Sequence, residues 1–117
     1  MSFKFENLNI WQKAMDFAED IHELSKKLPD EEFYNLSSQI RRAAGSVALN
    51  ISEGSIGQSN AEFKRFINMA IRSLAEVVTC LHKASRRNYV SNEKFMDLYD
   101  KAFNLMNMQN GFKKKLN

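Results

Sequence analysis

This chain of 117 residues is poor in the residues that staple, break or catalyse. It holds one cysteine, one proline, four glycines and two histidines. With Cys80 alone, no internal disulfide can form and no cysteine metal cluster can be built within one chain, which fits a reducing cytosol. With so few helix breakers, long helices can run uninterrupted. No segment approaches the ~18 consecutive apolar residues that mark a membrane span. The opening MSFKFENLNIWQKAMDF scatters charge where a signal peptide needs an apolar run. The expectation is a soluble, non-exported, cytosolic protein, a single domain over residues 1–117, long enough to bury a core without metal or disulfide.

What is present is helical periodicity. In the first helix, expected from about Asn7–Asn9 to Leu28, Trp11, Ala14, Phe17, Ala18, Ile21, Leu24 and Leu28 recur at spacings of three and four. Asp16, Glu19, Asp20 and Glu23 take the other face, Asn9 with Gln12 forms a candidate capping box, and Pro29 ends the helix. Asp30 can cap a short turn through Glu31 and Glu32, and Ser37 can cap a second helix running to about Gly54, a candidate C′ residue. Its inner stripe, Leu36, Ile40, Ala43, Ala44, Val47, Ile51 and Gly54, consists largely of small residues, so a neighbouring helix can approach closely.

After the GSIGQSN turn, Ser59 and Glu62 form the capping box of a third helix. Its inner face carries Phe63, Phe66, Ile67, Ala70, Leu74, Val77, Val78, Leu81 and Ala84. Asn88 to Ser91 forms the last turn, and Ser91 caps a fourth helix with Phe95, Leu98, Tyr99, Ala102, Leu105, Met106 and Phe112 inward. Four amphipathic helices joined by short turns read as an all-α, antiparallel up-down-up-down four-helix bundle.

Charge is unevenly placed. Residues 1–34 hold four lysines against eight acids, and residues 35–117 hold thirteen basic against six acidic groups, so a net −4 faces a net +7. The two can meet head to tail between subunits, or the basic part can stay free for phosphates. Arg65, Arg72 and Arg86 stand at multiples of seven with Lys83 beside them, a ridge of roughly 30 Å along the third helix. Lys113, Lys114 and Lys115 close the fourth helix, where they also suit its dipole. The outer face of the second helix carries Gln39, Arg42, Ser46, Leu49 and Glu53 as an ordered stripe with an apolar residue at its centre. With Met69 of the third helix, this stripe is the candidate subunit face.

Catalytic and metal constellations do not assemble from these residues. Glu19 and His22 match the Glu-x-x-His spacing of di-iron bundles, but His82, the other histidine, has Thr79 where the second carboxylate would be. Cys80 and His82, two residues apart on a helix, point away from each other. Gly57 is followed by Gln58, so the glycine-containing turn lacks the Lys-Ser/Thr of a phosphate loop. No enzyme, cofactor or metal is expected.

Three segments carry a resemblance: WQKA at Trp11 to Ala14, LPDEEFYNLSSQIRRAAGSVALNISEG from Leu28 to Gly54, and EFKRFINMAIRSLAEV from Glu62 to Val77. They resemble the 23S rRNA-intervening-sequence protein family over nearly the whole chain, with Gln39, Arg41, Arg42, Asn50, Glu53, Gly54, Glu62 and Phe63 as the matching motif residues. The resemblance implies a four-helix bundle assembled as a ring of five. A related branch is the accessory variability protein of diversity-generating retroelements, a basic pentamer that binds a reverse transcriptase and nucleic acid. The family pattern usually has proline where this chain has Ala48 and Gly-Ser where it has Arg72-Ser73. Without the proline the second helix should be straighter, and Arg72 adds bulk and charge to the third. Two functions follow as expectations. One is a non-enzymatic, homo-oligomeric RNA- or nucleoprotein-binding scaffold. The alternative is a protein-protein interaction module with no nucleic-acid binding.

Overall fold

The computed structural model of the chain describes residues 1–116 and consists of four helices: α1 (Asn9–Lys26), α2 (Leu36–Ser55), α3 (Asn60–Arg86) and α4 (Asn92–Lys115). Short 3₁₀ turns at Lys4–Asn7 and Asp30–Glu32 precede α1 and α2. Each helix packs against its neighbours in sequence, and α4 closes back on α1, the antiparallel bundle that the periodicity predicts. The body measures 43 × 23 × 23 Å. Its core takes the predicted stripes, with Ile21, Ile40, Val47, Ile51, Ile67, Ala70, Leu74, Val77, Leu81 and Leu98 fully removed from solvent.

Helix ends differ in detail from what spacing predicts. Asn9 is not a cap. The chain enters α1 through the 3₁₀ turn, Leu8 takes the N-cap position, and Gln12 Nε2 instead donates to the Glu6 carbonyl at 2.8 Å. α1 stops at Lys26, before Leu28 and Pro29. Pro29, not Asp30, takes the N-cap position of the second 3₁₀ turn. Asn35 precedes α2, and Ser37 lies buried inside the helix's first turn, with no side-chain cap present.

Gly54 is the most informative correction. It is a buried residue within α2, not a C′ glycine past its end. A Cβ at this position would stand 2.7 Å from Phe66 Cβ and 2.8 Å from Phe63 Cδ1. The glycine is therefore required by the close approach of α3, not by a left-handed backbone.

The predicted caps of the last two helices are present. Ser59 Oγ accepts from Glu62 N at 3.1 Å, and the Glu62 carboxylate accepts from Gln58 N at 3.0 Å, one residue earlier than a strict capping box. Ser91 Oγ accepts from Lys94 N at 3.0 Å. α3 ends in a Schellman turn: Asn88 adopts φ 62°, Asn88 N donates to Ser85 O and Tyr89 N to Ala84 O. Asparagine is tolerated there because its short side chain suits the left-handed region.

Candidate functional site

The Schellman turn aims two side chains at one carboxylate. Glu32, buried at the α1–α2 turn, accepts from Arg87 Nη1 at 3.0 Å, Tyr89 Oη at 2.9 Å and Asn35 Nδ2 at 3.0 Å. The Tyr89 bond, with help from Asn35, Arg87 and the Leu36 backbone, holds its carboxyl below the usual carboxylate range against the opposing effect of burial. The same bond raises the Tyr89 phenol. This clasp ties the α1–α2 turn to the α3–α4 turn. Phe33 and Tyr34, directly after Glu32, project outward, with Phe33 edge-on to Tyr34 at 4.7 Å and the Arg41 guanidinium 5.6 Å from the Phe33 ring centre.

The basic ridge is exposed along α3. Arg72, Lys83 and Arg86 make no ion pair among the described residues, while Arg65 stands 3.9 Å from Glu62. α4 brings the C-terminal lysines to this ridge. Lys113 Nζ donates to Asn68 Oδ1 at 2.9 Å, and Asn68 lies one turn after Arg65 and one turn before Arg72. Lys114 and Lys115 are exposed. Of the tail, Lys113 thus meets the ridge between Arg65 and Arg72.

The predicted subunit face divides in two. Gln39 Nε2 donates to Glu76 Oε2 at 3.3 Å, and Ser46 Oγ accepts from Ser73 Oγ at 3.1 Å and from Asn50 Nδ2 at 3.0 Å. These groups zip α2 to α3 within the chain. Arg42, Leu49, Glu53 and Met69 remain exposed, Leu49 at 56% and Met69 at 39%.

Among the described residues, neither Cys80 nor either histidine forms a nucleophile–base pair. Cys80 is buried in the core, and burial pushes its thiol up, away from the reactive thiolate. His82 lies against the rings of Phe95 and Tyr99. Trp11 is half-buried against Phe5, a packed residue and not a free stacking platform. Among the described residues, no three His, Cys, Asp or Glu side chains converge as a metal-holding group, and no helix is long and apolar enough to cross a membrane. Three features escaped sequence reasoning: the Glu32 clasp, the exposed Phe33–Tyr34 pair and exposed Phe103. The last three rings do lie off every apolar stripe, which was their available signal.

Fold and surface therefore define an all-α four-helix bundle with an exposed basic ridge on α3 and, among the described residues, no convergent catalytic group. The profile of the 23S rRNA-intervening sequence proteins matches residues 6–111, and the chain belongs to that family. It is similar to a crystal structure of a protein with unknown function from the S23 ribosomal protein family of Bacteroides thetaiotaomicron VPI-5482. The TM-score is 0.84 at 26% identity, covering 91% of this chain and 99% of that one. No curated protein matches the chain.

Proposed function

We propose that the chain is a non-enzymatic, cytosolic, homo-oligomeric scaffold, a ring of five by family resemblance, that binds structured RNA across its basic surface. The observation that supports this reading is that the tail reaches the ridge: Lys113 Nζ donates to Asn68, which lies between Arg65 and Arg72 on α3. Unpaired cations spaced along a ridge suit a phosphate backbone, and they carry no base-specific geometry. A single chain carries seven basic groups on ridge and tail, Arg65 of them 3.9 Å from Glu62, so assembly would multiply the contacts. The exposed Arg42, Leu49, Glu53 and Met69 form the subunit face in this reading, with Gln39 and Ser46 holding its α2–α3 floor.

Fluorescence anisotropy of a labelled structured RNA, titrated with protein at ~50 and ~200 mM salt, tests the proposal. The expected result is tight binding that weakens ~10³-fold or more, the signature of six or more phosphate contacts. Lys83→Glu combined with Lys114→Glu should weaken it further while leaving the assembled mass unchanged. Absence of binding at low salt overturns the RNA reading. The second reading, a protein interaction module, then stands on exposed Leu49 and Met69.

A further inference from the structure

A groove of about 480 Å³ lies between α1 and α4, and none of the ridge residues lines it. Its walls follow from helix geometry. α1 supplies Lys13, Asp16, Phe17 and Asp20, and α4 supplies Lys101, Asn104, Leu105 and Met108, each set at positions i, i+3, i+4 and i+7. Such a set covers two turns of one helix face, so each wall is ~10 Å long. Phe17 and Leu105 are buried and form the floor with half-buried Met108, whereas Lys13, Asp16 and Asn104 are exposed at the rim.

The two ends of the groove are not alike. At one end Lys101 Nζ donates to Asp20 Oδ2 at 3.0 Å and stands 3.5 Å from Asp97, so these charges are already engaged and the two walls are tied together. At the other end, Lys13 and Asp16 form neither an ion pair nor a hydrogen bond among the described residues. Their spacing does not forbid a pair. Lys94 and Asp97, likewise a lysine with an aspartate three residues on, stand 3.6 Å apart. A free ammonium and a free carboxylate therefore lie side by side above an apolar floor. The antiparallel pairing that sets Lys101 against Asp20 brings Asn104 and Met108 of α4 towards that end.

We propose that this groove binds a free α-amino acid with an aromatic side chain. Such a ligand carries a carboxylate and an ammonium on one carbon, the complement of adjacent Lys13 and Asp16. Its carboxylate accepts from Lys13 Nζ and its ammonium donates to Asp16, with Asn104 Oδ1 as a further acceptor. The ring lies on Phe17, Leu105 and Met108, where an aromatic face and a thioether both favour an aromatic partner. Cavities of ~150 Å³ already accept a benzene ring, so the groove has room for a ring and its backbone. A peptide segment fits less well, because amide bonds consume the two charges. A phosphate group would meet the carboxylates of Asp16 and Asp20.

Methyl NMR of the full chain, titrated with L-tryptophan at about pH 6.5, reads the site directly, since Leu105 and Met108 carry methyl groups into the groove. Because the rim contacts are open to water, the expected result is saturable shifts at these two residues with a dissociation constant on the order of 1 mM. The Val78 methyls, outside the groove, should stay in place. L-Tryptophanamide lacks the carboxylate and N-acetyl-L-tryptophan lacks the ammonium, and each should bind ~5-fold more weakly. Lys13→Met should abolish the penalty for the amide and keep that for the acetyl compound, and Asp16→Asn should do the reverse. Both substitutions fall on exposed positions, and an unchanged Val78 signal shows that the fold is kept.

Equal affinity for the three ligands overturns the proposal, because the groove then recognises the ring alone. Shifts centred away from Leu105 and Met108, or none up to ~10 mM, overturn it as well. So do penalties that survive in both variants, since Lys13 and Asp16 would then not sense the ligand's charges. None of these readouts depends on RNA or on the state of assembly, so their failure leaves the proposed function standing.

Discussion

The α2–α3 seam and the two seams of α4 are built from different side chains. Between α2 and α3, small residues carry the contact: Ala43, Ala44 and Gly54 on one side and Ala70 on the other, with Ser46–Ser73 and Gln39–Glu76 hydrogen bonds along its edge. α4 instead presents Phe95, Tyr99, Met106, Met108 and Phe112, all only partly buried. Long side chains hold helices apart, and α4 accordingly leaves a groove on each flank, about 480 Å³ towards α1 and about 250 Å³ towards α3. One seam is closed and specific. The other two are open, and the open side is where the surface has unsatisfied apolar area.

The comparison breaks most visibly at Gly54. Gly54→Leu forces a side chain into the space that Phe63 and Phe66 occupy, with no room for even the Cβ. Overpacking of this kind costs about 3 kcal/mol. Thermal denaturation should show a fall in Tm of about 10 °C for a chain of this size. A substitution at Gly111 of α4, where an added Cβ meets nothing within 4 Å, should be nearly silent. If the two positions responded alike, the close approach of α3 would not be what requires a glycine at Gly54.

The Glu32 clasp ranks next and is read through pH. Its carboxyl titrates lower in the folded chain than in the unfolded one. The stabilisation is therefore complete above the unfolded value of about 4.3 and is lost as pH falls through the folded one. Urea denaturation from pH 7 to pH 3 should show stability falling along that acid limb. Glu32→Gln should lower stability at pH 7 and flatten the limb, because its amide cannot titrate. An acid limb as steep in the variant as in the parent would place the titrating group elsewhere. Tyr89→Phe removes the largest single cause of the shift and should move the limb upward in pH.

How much of this was readable in advance follows from how far apart the interacting residues lie in sequence. The four stripes are local, written in spacings of three and four, and the bundle and nearly all of its core follow from them. The Ser59 and Ser91 caps are local too. Gly54 looks like a helix terminator because glycine commonly is one; its actual role depends on Phe63 and Phe66 folding back across the GSIGQSN turn. Glu32 meets Arg87 and Tyr89 across 55 and 57 residues, beyond the reach of any spacing rule. The ridge is visible in the recurrence of Arg65, Arg72 and Arg86. That the lysine tail joins it depends on α4 docking so that Lys113 reaches Asn68.

The smallest effect sharpens the comparison from the α4 side. Gln109 lies one turn beyond Leu105 on the inward stripe of α4, fully buried, and neither Nε2 nor Oε1 has a hydrogen-bond partner among the described residues. An unsatisfied buried polar group costs roughly 1–3 kcal/mol, so α4 is held in place against its own composition. Leucine retains most of the volume and removes both polar atoms. Gln109→Leu should therefore stabilise the chain by about 1 kcal/mol, a rise in Tm of about 4 °C. The same gain should appear as slower hydrogen exchange in α4 amides, with little change in α2 and α3, if α4 opens separately from the closed seam. A loss of stability would mean that the amide is satisfied in solution and that α4 is bound more specifically than its side chains imply.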